Sequence, residues 1–571
     1  MKKLLCALSL IATTCLVSPL EAQQETTADT EATGGEIFFE SMDVNVVNVE
    51  VYVTDSKGQS VPGLTAQDFE LYEDGRQVEI SNFYGYEGRP GRRDFAPPAP
   101  LEVSGTEGLP RSPLKTLEVP EDQRLYLILY FDNLHLRPFD RNRVAREVTR
   151  FLAREVGPED RVMVVTYERT LHIRQPFTSD RRQVEKALLG MEKMTGFAVQ
   201  KQAERVQVIR RVEKSESQLE AENFVDFFAR SEFQDLQNSI EGLKEMVASL
   251  SGLPGRKALL HVTNGLPMKA AEDLYHFLDI KYGQSVSGRM QALRYSGRSQ
   301  FRDLIAKANA NRVTFYTLDA TGLGSHGSVS AESQGRAEGG SLIDVDVARA
   351  SNLQEPLQMM ALDTGGISAF NTNNVAGALE SMARDFNSYY SLGYAPAHSG
   401  DGRYYDLKVK VKKKGLKVRY RAGYRDKTPE TRLAEGTLAV LLHGAGSNDL
   451  GLRMTFGSPT KRDDGFFLVP MEVQIPLAKV TLVPQEGDQH RGQLRVSSAV
   501  IDTKSGTSPP DLASLPLTIP SGDLAVARQK HYVYAIELLM RAGNQVVAVG
   551  LHDDLSGESS FLRQTVRVGS S

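Results

Sequence analysis

Apolar and polar positions along the chain fall into three regimes. Between Asp43 and Tyr84, apolar residues alternate with polar ones in short runs. The first is Asp43–Val53, and turns at Asp55–Gly58 and Glu73–Gly75 set off Asp68–Tyr72 and Val78–Tyr84. Short alternating strands divided by Gly/Asp turns predict a small N-terminal β-sandwich over residues 36–88. Gly88–Pro120 is rich in Pro, Gly and Arg without periodicity, and reads as a linker over 89–121.

The second regime opens at Leu125–Leu136, LYLILYFDNLHL, a continuous apolar run that ends in Asp132 and Asn133. Such a run predicts a strand buried on both faces, as in a parallel sheet covered by helices. Pro138 marks a helix start, and Val144, Val148, Phe151 and Leu152 recur at helical spacing. Arg161–Tyr167 is a second buried strand, and Leu171–Phe177 a short one placed antiparallel at the edge. Val184, Leu188 and Met191 mark another helix; the charged stretch Thr195–Glu220 predicts no clear element. A long amphipathic helix from Phe224 carries Leu236, Ile240, Leu243, Val247 and Leu250 on one stripe.

Lys257–Thr263 and Val313–Leu318 are further buried strands, with helical patterns around Phe301–Ala308 and through Val375, Leu379, Met382 and Phe386. Tyr389–Tyr394 closes the group. Alternating strands and helices predict a doubly wound α/β domain over 122–396. Asp132, Asn264 and Asp319 each end a strand, and in open α/β sheets ligands bind outside such ends. With Asn133 and His135, they are the candidate ligand-binding residues.

In the third regime, Tyr404–Tyr420 reads as a hairpin within an extension over 397–426, its Leu407, Val409 and Val411 alternating with lysines. The charge run Lys412–Arg421 is read as the solvated face of an edge hairpin rather than a nucleic-acid patch, because edge lysines block sheet-to-sheet pairing. From Leu438 the pattern is strands throughout, including Leu438–Leu442, Gly465–Gln474, Gln493–Ile501, Tyr532–Met540 and Gln545–Leu551. It predicts a larger C-terminal β-sandwich over 435–569.

Composition changes this picture mainly at the N-terminus. Lys2 and Lys3, the apolar Leu4–Val17 and the small Ala22 lay out a cleaved signal over residues 1–22, so the mature protein is expected to be exported, periplasmic or secreted. Both cysteines, Cys6 and Cys15, fall inside that segment. Ala12-Thr13-Thr14 is a poor lipidation site before Cys15. The mature chain is then left without a disulfide, a thiolate metal ligand or a cysteine nucleophile. No other stretch approaches the roughly 20 apolar residues of a membrane span. A formal net charge of −5 over 571 residues gives no reason to expect nucleic acid as a partner.

Motifs for catalysis are sparse. Gly322-Leu-Gly-Ser-His-Gly327 satisfies G-x-G-x-x-G after a strand, but a Gly/Ser-rich loop follows where a dinucleotide site needs a helix N-terminus. The sequence has no P-loop, no H-E-x-x-H and no G-x-S-x-G elbow, and its ten histidines lack ligand spacing. No catalytic residue is assigned and the protein is not expected to be an enzyme.

Several stretches resemble a von Willebrand factor type A domain of the divergent kind found in exported acidobacterial proteins. They are Leu125–Asn133, Leu253–Gly265, Phe315–Ala320, Ala361–Gly366 and Tyr389–Pro396. Val44–Tyr84 and Gly402–Tyr424 resemble modules of the same proteins, and the C-terminal strands lie outside the resemblance. The resemblance implies ligand binding at the top of the sheet through a divalent cation such as magnesium. Its Asp-x-Ser-x-Ser element would fall on Asp132–Leu136, where both hydroxyl positions are leucines, and its later Asp would fall on Asn264. Thr195 is a remnant of the loop threonine at best. Asp132 is then a vestigial metal ligand and no cofactor is expected.

The expected function is non-enzymatic binding of a protein partner in the envelope or outside the cell. It would use the loops after Asp132 and Asn264 and the Gly322–Gly340 loop. A structural spacer of the envelope is the alternative, and a hydrolase using Asp132 and His135 the distant one. Two plainer roles stay open: Asp132 as a cap that holds its own loop, and His135 as packing.

Overall fold

The computed structural model describes residues 46–87, 124–157, 159–283, 287–323, 339–502 and 506–569. The signal segment, the linker and most of the Gly322–Gly340 loop lie outside the described residues. Strands β1 (Val47–Thr54), β2 (Phe69–Glu73), β3 (Arg76–Val78) and β4 (Asn82–Glu87) come first.

The α/β segment begins with β5 (Leu125–Asp132), α1 (Pro138–Glu155), β6 (Arg161–Tyr167), β7 (Leu171–Thr178) and α2 (Arg181–Gly190). Next are α3 (Ala198–Lys214), α4 (Gln218–Ser249), β8 (Arg256–Thr263), α5 (Glu272–Tyr282), α6 (Ser287–Ala292) and α7 (Arg298–Ala310). The segment ends with β9 (Val313–Asp319), α8 (Gly339–Asp363), β10 (Ser368–Ala369) and α9 (Val375–Asn387).

The central sheet runs β10-β9-β8-β5-β6-β7, parallel except for β7, which is antiparallel at the edge. Alternation along β5 explains why both faces are covered. Leu125, Leu127, Leu129 and Phe131 pack with Val144, Val148 and Phe151 of α1 and with Leu379 and Met382 of α9. Tyr126, Ile128 and Tyr130 pack with Leu236, Ile240 and Leu243 of α4 and with Phe301 and Leu304 of α7. Strand order reverses between β5 and β8, since β6 lies on one side of β5 and β8 on the other. Registers Phe131↔Val262 and Thr263↔Asp319 bring Asp132, Thr263 and Asp319 to one edge.

The charged stretch that gave no clear prediction folds as α3 and the first turn of α4, and the predicted long helix begins six residues before Phe224, at Gln218. Ala221, Val225 and Ala229 pack there with Val212 of α3 and Leu274 and Tyr275 of α5, a separate cluster outside the sheet core. Only the second half of α4 reaches the sheet.

The ends of the α/β segment are joined differently from the sequence partition. Strand β11 (Ser388–Tyr394), grouped above with 122–396, pairs antiparallel with β1 and β4 and not with the central sheet. After it come β12 (Tyr404–Val411), β13 (Lys417–Tyr420) and β14 (Gly423–Arg425). One sheet runs β13-β1-β11-β4 and a second β14-β12-β2-β3. Val49, Val51 and Leu392 of the first meet Phe69, Leu71 and Leu407 of the second in one cluster. Residues read as an N-terminal module and a later hairpin therefore share a core. Each part supplies strands to both sheets, so neither sheet is complete without the other part.

Leu438–Leu442 is not a strand. It lies in α10 (Pro429–His443), which starts with Pro429 in its first turn and the Thr428 side chain accepting from Thr431 N. The predicted boundary at 435 thus falls inside a helix. Val440 and Leu441 pack against Ala499 and Ala548 of the C-terminal strands. Those strands form two sheets: one is centred on Phe467–Pro476, the other on Gln489–Asp502 and Gly543–Asp553. Val469, Met471 and Val473 of the first share a cluster with Leu494, Val547 and Val549 of the second.

Candidate functional site at the carboxyl ends of the central sheet

Asp132 ends β5 and is buried, 1% exposed. Its Oδ2 accepts from His135 Nδ1 at 2.9 Å, and His261 Nε2 of β8 stands 3.9 Å from the same oxygen. Burial alone would raise the Asp132 carboxyl. The hydrogen bond and the two facing imidazoles outweigh it and hold the group below the usual carboxylate range. Asp132 Oδ1, the Tyr130 hydroxyl and both His261 nitrogens are buried without a hydrogen-bond partner among the described residues.

His135 is half-buried. Its Nε2 lies 3.4 Å from Lys201 Nζ of α3, and Lys201 also pairs with Asp235 of α4 at 2.8 Å. An ammonium can only donate. With the Lys201 ammonium facing Nε2, the ring presents Nδ1 to Asp132.

Asn133 points inward. Its Nδ2 donates to the Thr195 carbonyl at 2.9 Å, and its Oδ1 accepts from Arg141 Nη1 at 2.6 Å. Arg141, fully buried on α1, also donates to the Met194 carbonyl at 2.7 Å. These bonds clamp the loop before α3 to the top of β5.

Asn264 ties the next two loops together. Its Oδ1 accepts from Arg137 N at 2.7 Å, and its Nδ2 donates to Asp140 Oδ2 and Thr321 Oγ1, both at 3.0 Å. Asp319 is buried; its Oδ1 accepts from Thr321 N at 2.9 Å and its Oδ2 from Gln354 Nε2 at 3.2 Å.

All five sequence-predicted residues thus lie at one sheet edge, in two different roles. Asp132, Asn133 and Asp319 are buried beneath it, while His135 and Asn264 line a cleft of about 300 Å³. The cleft's other walls include Arg137, Lys201, Arg205, Asp235 and Arg349. Arg205 and Arg349 both pair with the buried Asp273. Sequence reasoning missed these cations. Arg141 had a visible signal, because it sits one turn before Val144 on the apolar stripe of α1. Lys201 and Asp235 had none, since their meeting depends on how α3 folds onto α4.

The donor set does not suit a divalent cation. A hard cation wants several oxygen ligands. Here one Asp132 oxygen is taken by His135, Leu134 and Leu136 are fully buried in opposite cores, and Asn264 spends its oxygen on a backbone amide.

No protein-family profile and no curated protein sequence matches the chain. Among solved structures, the chain aligns with a von Willebrand factor type A protein from Catenulispora acidiphila at 10% identity, covering 78% of this chain and 66% of that one, with a TM-score of 0.19. It aligns with the conserved hypothetical protein BatB from Bacteroides thetaiotaomicron at 13% identity, covering 46% and 96%, with a TM-score of 0.20. An aerotolerance-related membrane protein from Bacteroides fragilis aligns at 11% identity, covering 46% and 98%, with a TM-score of 0.19. Scores of this size carry no argument, and the mixed α/β architecture rests on the strand order itself. Among the described residues no helix is long and apolar enough to cross a membrane.

Proposed function

We propose that the protein is an exported, non-enzymatic binding protein that holds a protein partner in the cleft at the carboxyl ends of the central sheet, without a metal ion. The cleft carries this reading: it opens where strand order reverses, the position at which open α/β sheets bind ligands. His135 and Asn264 reach it from the sheet side, and Lys201, Arg205 and Arg349 from the helices around it. The buried bonds of Asp132, Asn133 and Asp319 fix the loops that present them, which lowers the ordering cost of binding. The resemblance to von Willebrand A domains agrees with a contact surface at this edge, and the altered donor set favours direct contact over a bridging cation.

The hydrolase reading has one observation in its favour, the Asp132–His135 pair, in which a carboxylate orients an imidazole. Among the described residues, however, His135 Nε2 meets the Lys201 ammonium and not a nucleophile's hydroxyl.

A photoreactive amino acid placed at the exposed Gln202 on the cleft wall, with one at the exposed Ser556 as control, tests the proposal in the native host. A discrete cross-linked species at Gln202 alone is expected. Equal labelling at both positions, or none at Gln202, would count against the cleft as the contact surface.

A further inference from the structure

A second polar site lies at the opposite end of the central sheet. A small pocket there, about 20 Å³, is walled by Leu125, Arg256, Lys257 and Val313 at the starts of β5, β8 and β9. Glu50 and Tyr52 of β1, Asn309 of α7 and Arg421 close it from the other side. Four cations face one carboxylate. Arg312 is paired with Glu50, whose carboxyl is lowered to about 2: burial would raise it, and Arg312 and Arg421 outweigh that.

Arg256, Lys257 and Arg421 have no carboxylate within 4.0 Å among the described residues. Arg256 donates to the Asp385 carbonyl at 2.9 Å and the Tyr52 hydroxyl at 3.2 Å, and its guanidinium lies over the Tyr389 ring. Lys257 Nζ donates to the Leu253 carbonyl at 2.7 Å, and burial, with Arg312 and Lys427 nearby, pushes its ammonium well down. Treating Lys257 as neutral still leaves Arg256 and Arg421 uncompensated.

Two side chains at the pocket have atoms with no partner. Arg421 is 8% exposed; its Nη2 donates to the Asn48 carbonyl at 2.7 Å, but its Nε–H is buried and unpaired. Asn309 is 1% exposed, and its Oδ1 is likewise unpaired. A buried donor left unmade on a charged group is costly, so something is expected to accept from it. The volume is a little above the roughly 10–15 Å³ that admits one water, the size of a single small occupant.

We propose that this pocket binds one halide ion, chloride in physiological media, which accepts from Arg421 Nε–H, balances Arg256, and pins the β13-β1-β11-β4 sheet to the base of the central sheet. This site is separate from the cleft at the other sheet edge and stands whether or not that cleft binds a partner.

Two measurements on the mature protein decide it. Crystals soaked in bromide should show an anomalous peak in the pocket. Melting in sodium chloride against sodium gluconate at equal ionic strength should show a saturable upward Tm shift of about 2–4 °C in chloride. Arg421→Gln should abolish the chloride-specific shift. If that variant does not fold, the bromide peak and the salt comparison on the unaltered protein still decide. Absence of the peak together with equal Tm in both salts would mean that water alone fills the pocket, and would overturn the proposal. A peak without a Tm shift would overturn the pinning role.

Discussion

His135 Nδ1 donates to Asp132 Oδ2 at 2.9 Å, three residues back along the same loop, and this bond divides the labour at the top of the sheet. The carboxylate stays buried and neither lines the cleft nor keeps two free oxygens. The imidazole it orients does line the cleft. Asp132 is thus a positioning residue, and under the proposed binding role ligand contact falls to His135 and the cations opposite it.

Asp132→Asn should destabilise the protein by about 1–3 kcal/mol, because the amide replaces the charge-assisted partner of His135 and the carboxylate that faces the buried His261. The folded-state pKa of Asp132 lies below its unfolded value. Its contribution is therefore present above about pH 4 and is lost as pH falls toward the folded value. Urea midpoints measured from pH 6 down to pH 3 should fall more steeply for the unaltered protein than for the variant. Parallel curves would contradict this.

Arg141→Met keeps the length of the stem but removes both clamps on the loop before α3. It leaves Asn133 Oδ1 and the Met194 carbonyl without their donor, so a loss of about 2–4 kcal/mol is expected from equilibrium unfolding. Amide hydrogen exchange at Met194–Phe197 should rise by more than exchange in the C-terminal strands.

Gly366→Ala tests the packing of the loop between α8 and β10 against the central sheet. A Cβ there would lie 1.9 Å from the Phe315 carbonyl oxygen of β9, a backbone atom that cannot swing away. Overpacking of this kind costs about 1–3 kcal/mol or more. An unchanged Tm would show that the loop does not approach β9 so closely.

His398 offers a pH dependence of opposite sign. Its ring stacks on Tyr405 at 3.7 Å, Nδ1 meets Asp426 at 2.8 Å, and Nε2 meets Glu73 at 3.3 Å with the Tyr424 hydroxyl nearby. Burial would lower its pKa, but the two carboxylates prevail and raise it. The stabilisation is thus full below about pH 6.5 and is lost as pH rises through the folded-state value. His398→Asn should flatten the fall in urea midpoint between about pH 6 and pH 9. An identical profile would contradict the bridge.

The central sheet was legible in the sequence because its strands are buried on both faces and therefore uninterrupted. Their polar ends, Asp132, Asn264 and Asp319, stood out against apolar runs. The partition of the flanking strands was not legible, since the pairing of Val47 with Tyr394 joins residues far apart and leaves no local period. Leu438–Leu442 was misread because a five-residue apolar run fits either strand or helix. The Thr428–Pro429 start, ten residues earlier, was the better guide. At the site, position was legible but role was not. A strand-end Asp looks the same in sequence whether it faces a ligand or, like Asp132, is consumed by its own loop.

The measurement that bears most directly on the cleft as a metal-free binding surface is the yield of the photo-cross-link at Gln202 in the native host. It should be compared between the unaltered protein and Lys201→Glu, each with and without EDTA, after matching Tm values show that the variant is folded. Reversing one cleft cation should lower the yield about tenfold, equivalent to about 1.4 kcal/mol of binding, and EDTA should leave it unchanged. A yield that ignores Lys201→Glu, or that collapses with EDTA, would contradict the account.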